Sequence, residues 1–198
     1  MKTSNLCSII MAAITLCSCT NQTAPQQKFL LRDNWTIQSS KEIKEDGKSI
    51  STPSWQPEKW YNASVPSTVV GTLVENKIYP DPYYGTNIES IPGYFSRRSG
   101  EIPDDSPFKA SWWYRTKFTL PAEFKGRNAW LKLHSINYKA NIWLNGQLVA
   151  DTSEIEGAYR LYNLNITRFA LAGNENCLAL EIFPPKGNDL TITWVDCN

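Results

Sequence analysis

The sequence predicts an all-β protein built as an antiparallel β-sandwich, and three features of residues 112–182 support this prediction. Short apolar runs alternate with polar residues at the period of two that a half-buried strand shows. Asn145-Gly146 separates two such runs, and Asn-Gly is the dipeptide that the type I′ hairpin turn favours. No helical pattern of useful length lies between the runs. Short strands at this spacing are typical of sandwiches.

The central strands follow from the alternation of side chains. Residues 113–120 place Trp113 and Arg115 on one face of a strand and Tyr114 and Phe118 on the other. Three further sets share a face in the same way: Ala129, Leu131 and Leu133; Tyr138, Ala140, Ile142 and Leu144; and Leu178, Leu180 and Ile182.

The first half of the chain is predicted to contain two opening strands, a loop and one short helix. The strands are expected at residues 28–31 and 35–39. Residues 40–57 are polar, contain a glycine and two prolines, and indicate a loop. Residues 69–76 carry the one convincing helical pattern, with Ser67 among the residues expected to cap it.

A long loop is predicted at residues 79–107, which are rich in proline, glycine and tyrosine and lack strand periodicity. Loops of this length are uncommon in compact domains and are usually functional or mobile. Further along, residues 166–171 are expected to form one helical turn before a tight turn at Gly173.

The N-terminus is predicted to be a targeting signal rather than part of the folded domain. Residues 1–18 contain Lys2 and then an apolar run that is too short to span a bilayer, which is typical of a secretory signal. The signal ends in Leu16-Cys17-Ser18-Cys19, which resembles the bacterial lipobox and implies lipidation of Cys19. An ordinary signal peptide with incidental cysteines is the alternative. Residues 19–27 are then a polar linker, and the predicted location is the cell envelope.

Two cysteines remain after the predicted signal and lipidated residue. Cys177 and Cys197 either form a disulfide in an oxidising periplasm or are a buried strand thiol and a thiol near the chain end, and we favour the second. No cysteine or histidine spacing indicates a metal site, and no motif indicates a cofactor.

Charge and histidine content exclude several classes of function. The net charge is +1 and basic residues form no stripe, which argues against a nucleic-acid partner. The one histidine, His134, is expected on the surface of a strand, and no nucleophile is singled out beside it. Among 19 acidic residues, none has a recognisable catalytic context.

Tryptophans are numerous, at eight in 198 residues. Each either fills the sandwich core or stacks on a sugar ring, whose C–H face suits an indole. Trp112 and Trp113 are adjacent on a predicted strand, so they point to opposite faces. We therefore expect at most one of them to fill the core.

Several short motifs resemble the N-terminal sugar-binding domain of family 2 glycoside hydrolases. They are Trp113-Tyr-Arg-Thr-Lys-Phe, Ile136-Asn-Tyr-Lys-Ala-Asn-Ile-Trp-Leu-Asn-Gly and Phe169-Ala-Leu-Ala-Gly-Asn-Glu-Asn, together with Val65-Pro-Ser and Tyr79-Pro-Asp-Pro-Tyr-Tyr-Gly. They occur in the order of the family, and the tyrosine-rich segment is most similar to the branch that acts on β-mannosides and β-glucosaminides. The resemblance implies a jelly-roll sandwich over residues 28–198.

The resemblance also assigns two substrate-binding residues and no catalytic ones. Asn87 aligns with a family asparagine, and Asp196 with a family aspartate, that hydrogen-bond sugar hydroxyls at the mouth of the active site. The structural alternatives are a turn residue at Asn87 and a solvated residue at Asp196. The two carboxylates that glycoside hydrolysis requires lie, in that family, on a separate barrel domain further along a longer chain.

Three functions are compatible with these observations. The first is the sugar-binding domain of a lipid-anchored, exo-acting glycoside hydrolase, here C-terminally incomplete and inactive by itself. The second is a free-standing carbohydrate-binding lipoprotein. The third is the non-functional product of a broken gene.

Overall fold

The computed structural model describes residues 27–92, 104 and 106–185. The chain divides into two compact units, Met1–Leu30 and Leu31–Asn198. Of the first unit, residues 27–30 are described, and they are exposed and have no regular secondary structure. The strand predicted at residues 28–31 is therefore wrong. The predicted signal and Cys19 lie outside the described residues.

Eight strands and two short α-helices form the described part of the second unit. The strands are β1 Trp35–Ser39, β2 Tyr61–Ala63, β3 Trp112–Thr119, β4 Trp130–His134, β5 Lys139–Leu144, β6 Gln147–Ala150, β7 Leu161–Asn165 and β8 Glu175–Phe183. The helices are α1 Gly47–Ile50 and α2 Val69–Glu75. Turns of 3₁₀-helix occur at Ser40–Glu42, Asn87–Ser90, Pro107–Lys109 and Ala122–Phe124.

The strands pair in two antiparallel sheets. Six strands lie in the order β2-β1-β3-β8-β5-β6, and β4 pairs with β7 in a second sheet. The predicted Asn-Gly turn joins β5 to β6, with φ of 51° at Asn145 and 78° at Gly146, as a type I′ turn requires. The all-β antiparallel sandwich predicted from the alternation is confirmed.

The main core lies between the two sheets. The inward residues of the small sheet pack against it, and they are Leu131, Leu133, Tyr162 and Leu164. Opposite them, the large sheet contributes buried Ile37, Ile142, Leu144, Leu178 and Leu180. Alternation in β4 leaves His134 on the exposed side, which confirms its predicted place on the strand surface.

The other face of the large sheet is also covered, and here two predictions fail. Residues 40–57 are not simply a loop, because they contain α1, whose Ile50 is buried against Trp113 and Ala179. Trp112 belongs to the main core and Trp113 to this second cluster, so both are buried. Because both faces of the large sheet are covered, two side chains that point to opposite faces can both be buried.

The predicted helix at residues 69–76 is confirmed as α2, which ends one residue earlier. Its N-cap is Thr68 rather than Ser67: Thr68 Oγ1 accepts a hydrogen bond from Gly71 N at 3.0 Å. Near the end of the described chain, Phe169 N and Ala170 N both donate to Ile166 O at 2.9 Å, which forms the predicted turn. Within the described residues, no helix is long and apolar enough to cross a membrane.

Candidate functional site

The segment from Ile78 to Pro92, which leaves α2 and contains Asn87, is folded into successive turns. Tyr84 N donates to Asp81 O at 3.2 Å, and Asn87 N donates to Tyr84 O at the same distance. Ile78 N donates to Leu73 O at 2.9 Å and ties the start of the segment to α2. The part of the predicted long loop that is described is therefore ordered by its own backbone.

Asn87 closes this segment with its side chain. Its Nδ2 donates to Asp81 O at 3.0 Å, while Asp81 Oδ1 accepts from Tyr83 N at 2.9 Å. Asn87 is half-buried, and within the described residues its Oδ1 accepts no hydrogen bond. The residue therefore acts as a turn residue and presents a fixed carbonyl oxygen that can accept a further hydrogen bond.

The segment that contains Asn87 also carries exposed aromatic side chains. Tyr83 is 96% exposed and Tyr84 is 77% exposed. Tyr83 lines an open groove of about 330 Å³ whose lining is mostly apolar: Val70, Pro82, Tyr83, Ile88, Ile91, Pro92 and Phe108. Exposed rings beside an oriented amide are suited to a sugar, which offers apolar C–H faces and hydroxyls together.

The wall of this groove is fixed to the sandwich by aromatic contacts. Tyr79 packs edge to face on Phe108, with ring centroids 6.2 Å apart, and partial burial raises the pKa of Tyr79 above its ordinary value. Trp112 Nε1 donates to Pro107 O at 3.1 Å, which fastens the turn before β3. Tyr114 OH lies 3.4 Å from Ser67 O, and burial raises the pKa of Tyr114 to about 12. Both tyrosines are therefore neutral hydrogen-bonding groups at neutral pH.

The remaining sequence-predicted site residues lie outside the described part of the chain. They are Asp196 and Cys19, and Cys197 is outside it as well. Asn87 is thus the one predicted site residue that the structure places. Among the described residues, no group of three or more His, Cys, Asp or Glu side chains is arranged to hold a metal ion.

One polar cluster was not recognised from the sequence. Arg115 on β3 is buried, and its guanidinium donates to three carbonyls, those of Ile50 and Trp55 at 2.9 Å and of Thr52 at 3.1 Å. Burial lowers the pKa of Arg115. The three carbonyls belong to the segment that covers the outer face of the large sheet. Arginine on an alternating strand indicates a solvent face, so no signal in the sequence revealed this role.

Cys177 lies next to this cluster as a free, buried thiol. Its Sγ is 3.7 Å from Ile50 O, and burial raises the pKa of the thiol to about 11. The thiol is protonated at neutral pH and is therefore a packing group rather than a nucleophile. This agrees with the buried strand thiol favoured from the sequence.

The chain is similar to known glycosidases over most of its described length. It is 32% identical over 163 residues to the exo-β-D-glucosaminidase of Amycolatopsis orientalis, covering 82% of this chain and 14% of that enzyme. It is 31% identical to the mannosylglycoprotein endo-β-mannosidase of Lilium longiflorum, covering 80% of this chain and 16% of that enzyme. The chain therefore spans about a sixth of the length of these relatives.

Solved structures show the same similarity. The exo-chitosanase of Amycolatopsis orientalis superposes with a TM-score of 0.69 at 31% identity, covering 82% of this chain and 17% of that one. The β-D-mannosidase of Dictyoglomus thermophilum gives a TM-score of 0.56 at 25% identity, covering 78% and 15%. The model of the glycosyl hydrolase 2 galactose-binding domain-like family matches residues 35–192. The chain belongs to this glycoside hydrolase family 2 domain family, as the order of its motifs had indicated.

Proposed function

We propose that the chain is the sugar-binding domain of a lipid-anchored, exo-acting glycoside hydrolase that takes part in carbohydrate degradation. The enzyme would remove terminal β-linked glucosamine or mannose residues. The observation that carries this proposal is the similarity to an exo-β-D-glucosaminidase over 82% of the chain, including the segment that contains Asn87. Catalytic carboxylates are not assigned to this chain.

The domain would contribute to substrate binding through Asn87 and Asp196. The turn that holds Asn87 Nδ2 on Asp81 O leaves the Oδ1 atom to accept a hydrogen bond from a sugar hydroxyl. The exposed ring of Tyr83 offers a stacking surface in the preceding turn of the same segment. Asp196 would pair with neighbouring hydroxyls through its two oxygens.

Titration with methyl β-glucosaminide and methyl β-mannoside, followed by NMR chemical shifts, tests the role of Asn87. We expect weak binding, and Asn87→Ala is expected to weaken it about 2- to 10-fold, the effect of losing one hydrogen bond of about 0.5–1.5 kcal/mol. Asn174→Ala is the control, because Asn174 is a turn asparagine on the surface whose side-chain amide donates to one backbone carbonyl, Ala172 O at 3.3 Å, as that of Asn87 does to Asp81 O.

Equal binding by the Asn87→Ala and Asn174→Ala variants would remove Asn87 from the site. Thermal unfolding of both variants separates a lost contact from a disordered loop, since the Asn87 amide also closes the segment. If neither glycoside binds the unmodified chain, the sugar-binding proposal itself fails.

A further inference from the structure

The outer face of the small sheet carries an exposed strip of polar and aromatic side chains that the proposed function does not use. In β4 and β7 every second residue faces away from the core and is exposed. These residues are Trp130, Lys132 and His134 on β4 and Leu161, Asn163 and Asn165 on β7. A tryptophan that is 52% exposed on a regular strand is not needed for the core.

The register brings these side chains together in three rows. Trp130 is paired with Asn165, Lys132 with Asn163, and His134 with Leu161. Paired side chains on one face are about 5 Å apart, and the strip is about 13 Å long because a strand rises about 3.3 Å per residue. The indole therefore lies next to two amides and an ammonium group on a rigid sheet, along a length that exceeds a single sugar ring.

The polar groups of the strip are available for a ligand. Within the described residues, Lys132 forms no ion pair, and the side chains of Lys132 and Asn163 form no hydrogen bond. Asn165 Oδ1 accepts from Thr167 N at 3.0 Å, which orients its amide nitrogen and leaves that nitrogen free to donate. Each group can therefore exchange water for a ligand atom without losing a protein contact.

An aromatic side chain also marks the other end of the strip. Tyr159 precedes β7 by two residues and is 92% exposed. Its φ is 59°, a left-handed conformation that is uncommon for a bulky residue. The chain thus presents a second ring to solvent close to the His134 and Leu161 end of the strip in sequence.

The chemistry of the strip favours a glycan over a protein partner. Sugar hydroxyls donate and accept hydrogen bonds, so a glycan can satisfy amides and an ammonium group while its C–H face covers the indole. A protein surface that covered the same strip would have to bury an unpaired ammonium or supply a matching carboxylate. The strip contains Lys132 and no carboxylate, so a cationic glycan is disfavoured.

We propose that the outer face of β4 and β7 is a second carbohydrate-binding surface, which takes the interior of a neutral β-linked polysaccharide. It is distinct from the segment around Asn87, and its existence does not depend on the proposed function. Trp130 stacks on a pyranose ring, and Asn163, Asn165 and Lys132 bind the hydroxyls of that ring and its neighbour.

Isothermal titration of the full chain with β-1,4-mannohexaose, N-acetylchitohexaose and the cationic chitosan hexamer tests this proposal. We expect one of the neutral hexasaccharides to bind and the chitosan hexamer to bind more weakly. Trp130→Ala is expected to weaken binding about tenfold and Trp130→Tyr less, because the tyrosine keeps a ring for stacking. Asn163→Ala is expected to weaken binding about threefold.

The matched control is Leu171→Ala, which removes an apolar side chain with nearly the same exposure, 50%, from another surface. This variant should retain hexasaccharide binding, which shows that the loss in Trp130→Ala comes from the strip and not from the removal of any exposed apolar side chain. If Trp130→Ala unfolds at a lower temperature, Asn163→Ala and Lys132→Ala carry the test, because both residues are exposed and lack described side-chain partners. The proposal is overturned if no neutral hexasaccharide binds, or if all three strip variants bind as the unmodified chain does.

Discussion

Arg115 stabilises the fold as a single residue that holds the covering segment on the outer face of the large sheet. Its guanidinium satisfies three carbonyls of the segment that covers the outer face of the large sheet. Such carbonyls would otherwise be buried without partners, which is costly in a low-dielectric interior. The side chain therefore connects β3 to a segment about 60 residues earlier in the sequence.

Replacing Arg115 by methionine is expected to reduce the free energy of unfolding by about 1–3 kcal/mol, because three carbonyls of a buried and partly buried segment lose their donor. Lys117→Met is the matched control on the same face of β3. Lys117 pairs with Glu175 at 3.2 Å near the surface, so its loss should cost only about 0–1 kcal/mol. Urea unfolding measures both, and similar losses for the two variants would show that the carbonyl contacts of Arg115 are unimportant.

At the scale of elements, α1 depends on a close approach to β5. A Cβ atom added to Gly47 would lie 2.4 Å from Nε1 and Cε2 of Trp143, which belongs to the second cluster. The indole therefore packs directly on the backbone of the helix. This contact explains a glycine at the first position of a helix, where other residues would be favoured by propensity.

Gly47→Ala is expected to lower the free energy of unfolding by roughly 1–3 kcal/mol through overpacking. Gly71→Ala in α2 is the comparison, because the nearest atom to its added Cβ is Thr68 Oγ1 at 3.1 Å, a less severe approach than that at Gly47. We expect a smaller effect there, since alanine also favours the helix by about 1 kcal/mol. Thermal unfolding of both variants measures these losses. A Gly47→Ala variant with unchanged stability would show that α1 can move away from Trp143.

The elements that depend on local pattern were predictable, and those that depend on distant contacts were not. Alternation and the Asn145-Gly146 turn are local, and they located β3, β5 and the hairpin. The burial of Arg115 and Trp113 depends on a segment that folds over the sheet from far away in the sequence. For the candidate site, resemblance selected Asn87, but only the structure showed its amide held by Asp81.

At the scale of the whole molecule, the predicted lipidation of the chain can be measured directly. The chain expressed in a Gram-negative host is expected to incorporate labelled palmitate, because Leu16-Cys17-Ser18-Cys19 resembles a lipobox. Cys19→Ala should abolish the label, whereas Cys17→Ala, at the neighbouring cysteine, should retain it. Label that persists in the Cys19→Ala variant would contradict lipidation at that residue.

The position of β8 between β3 and β5 determines when the large sheet can form during synthesis. Without β8, no strand joins the three strands β2-β1-β3 to the two strands β5-β6. The large sheet then consists of two separate ribbons. The pairing partners Trp112 and Ile182 are also distant in sequence, which slows folding. A nascent chain therefore keeps two incomplete ribbons with open edges until residue 183 has left the ribosome, and during that time these edges can pair with other chains or be bound by chaperones.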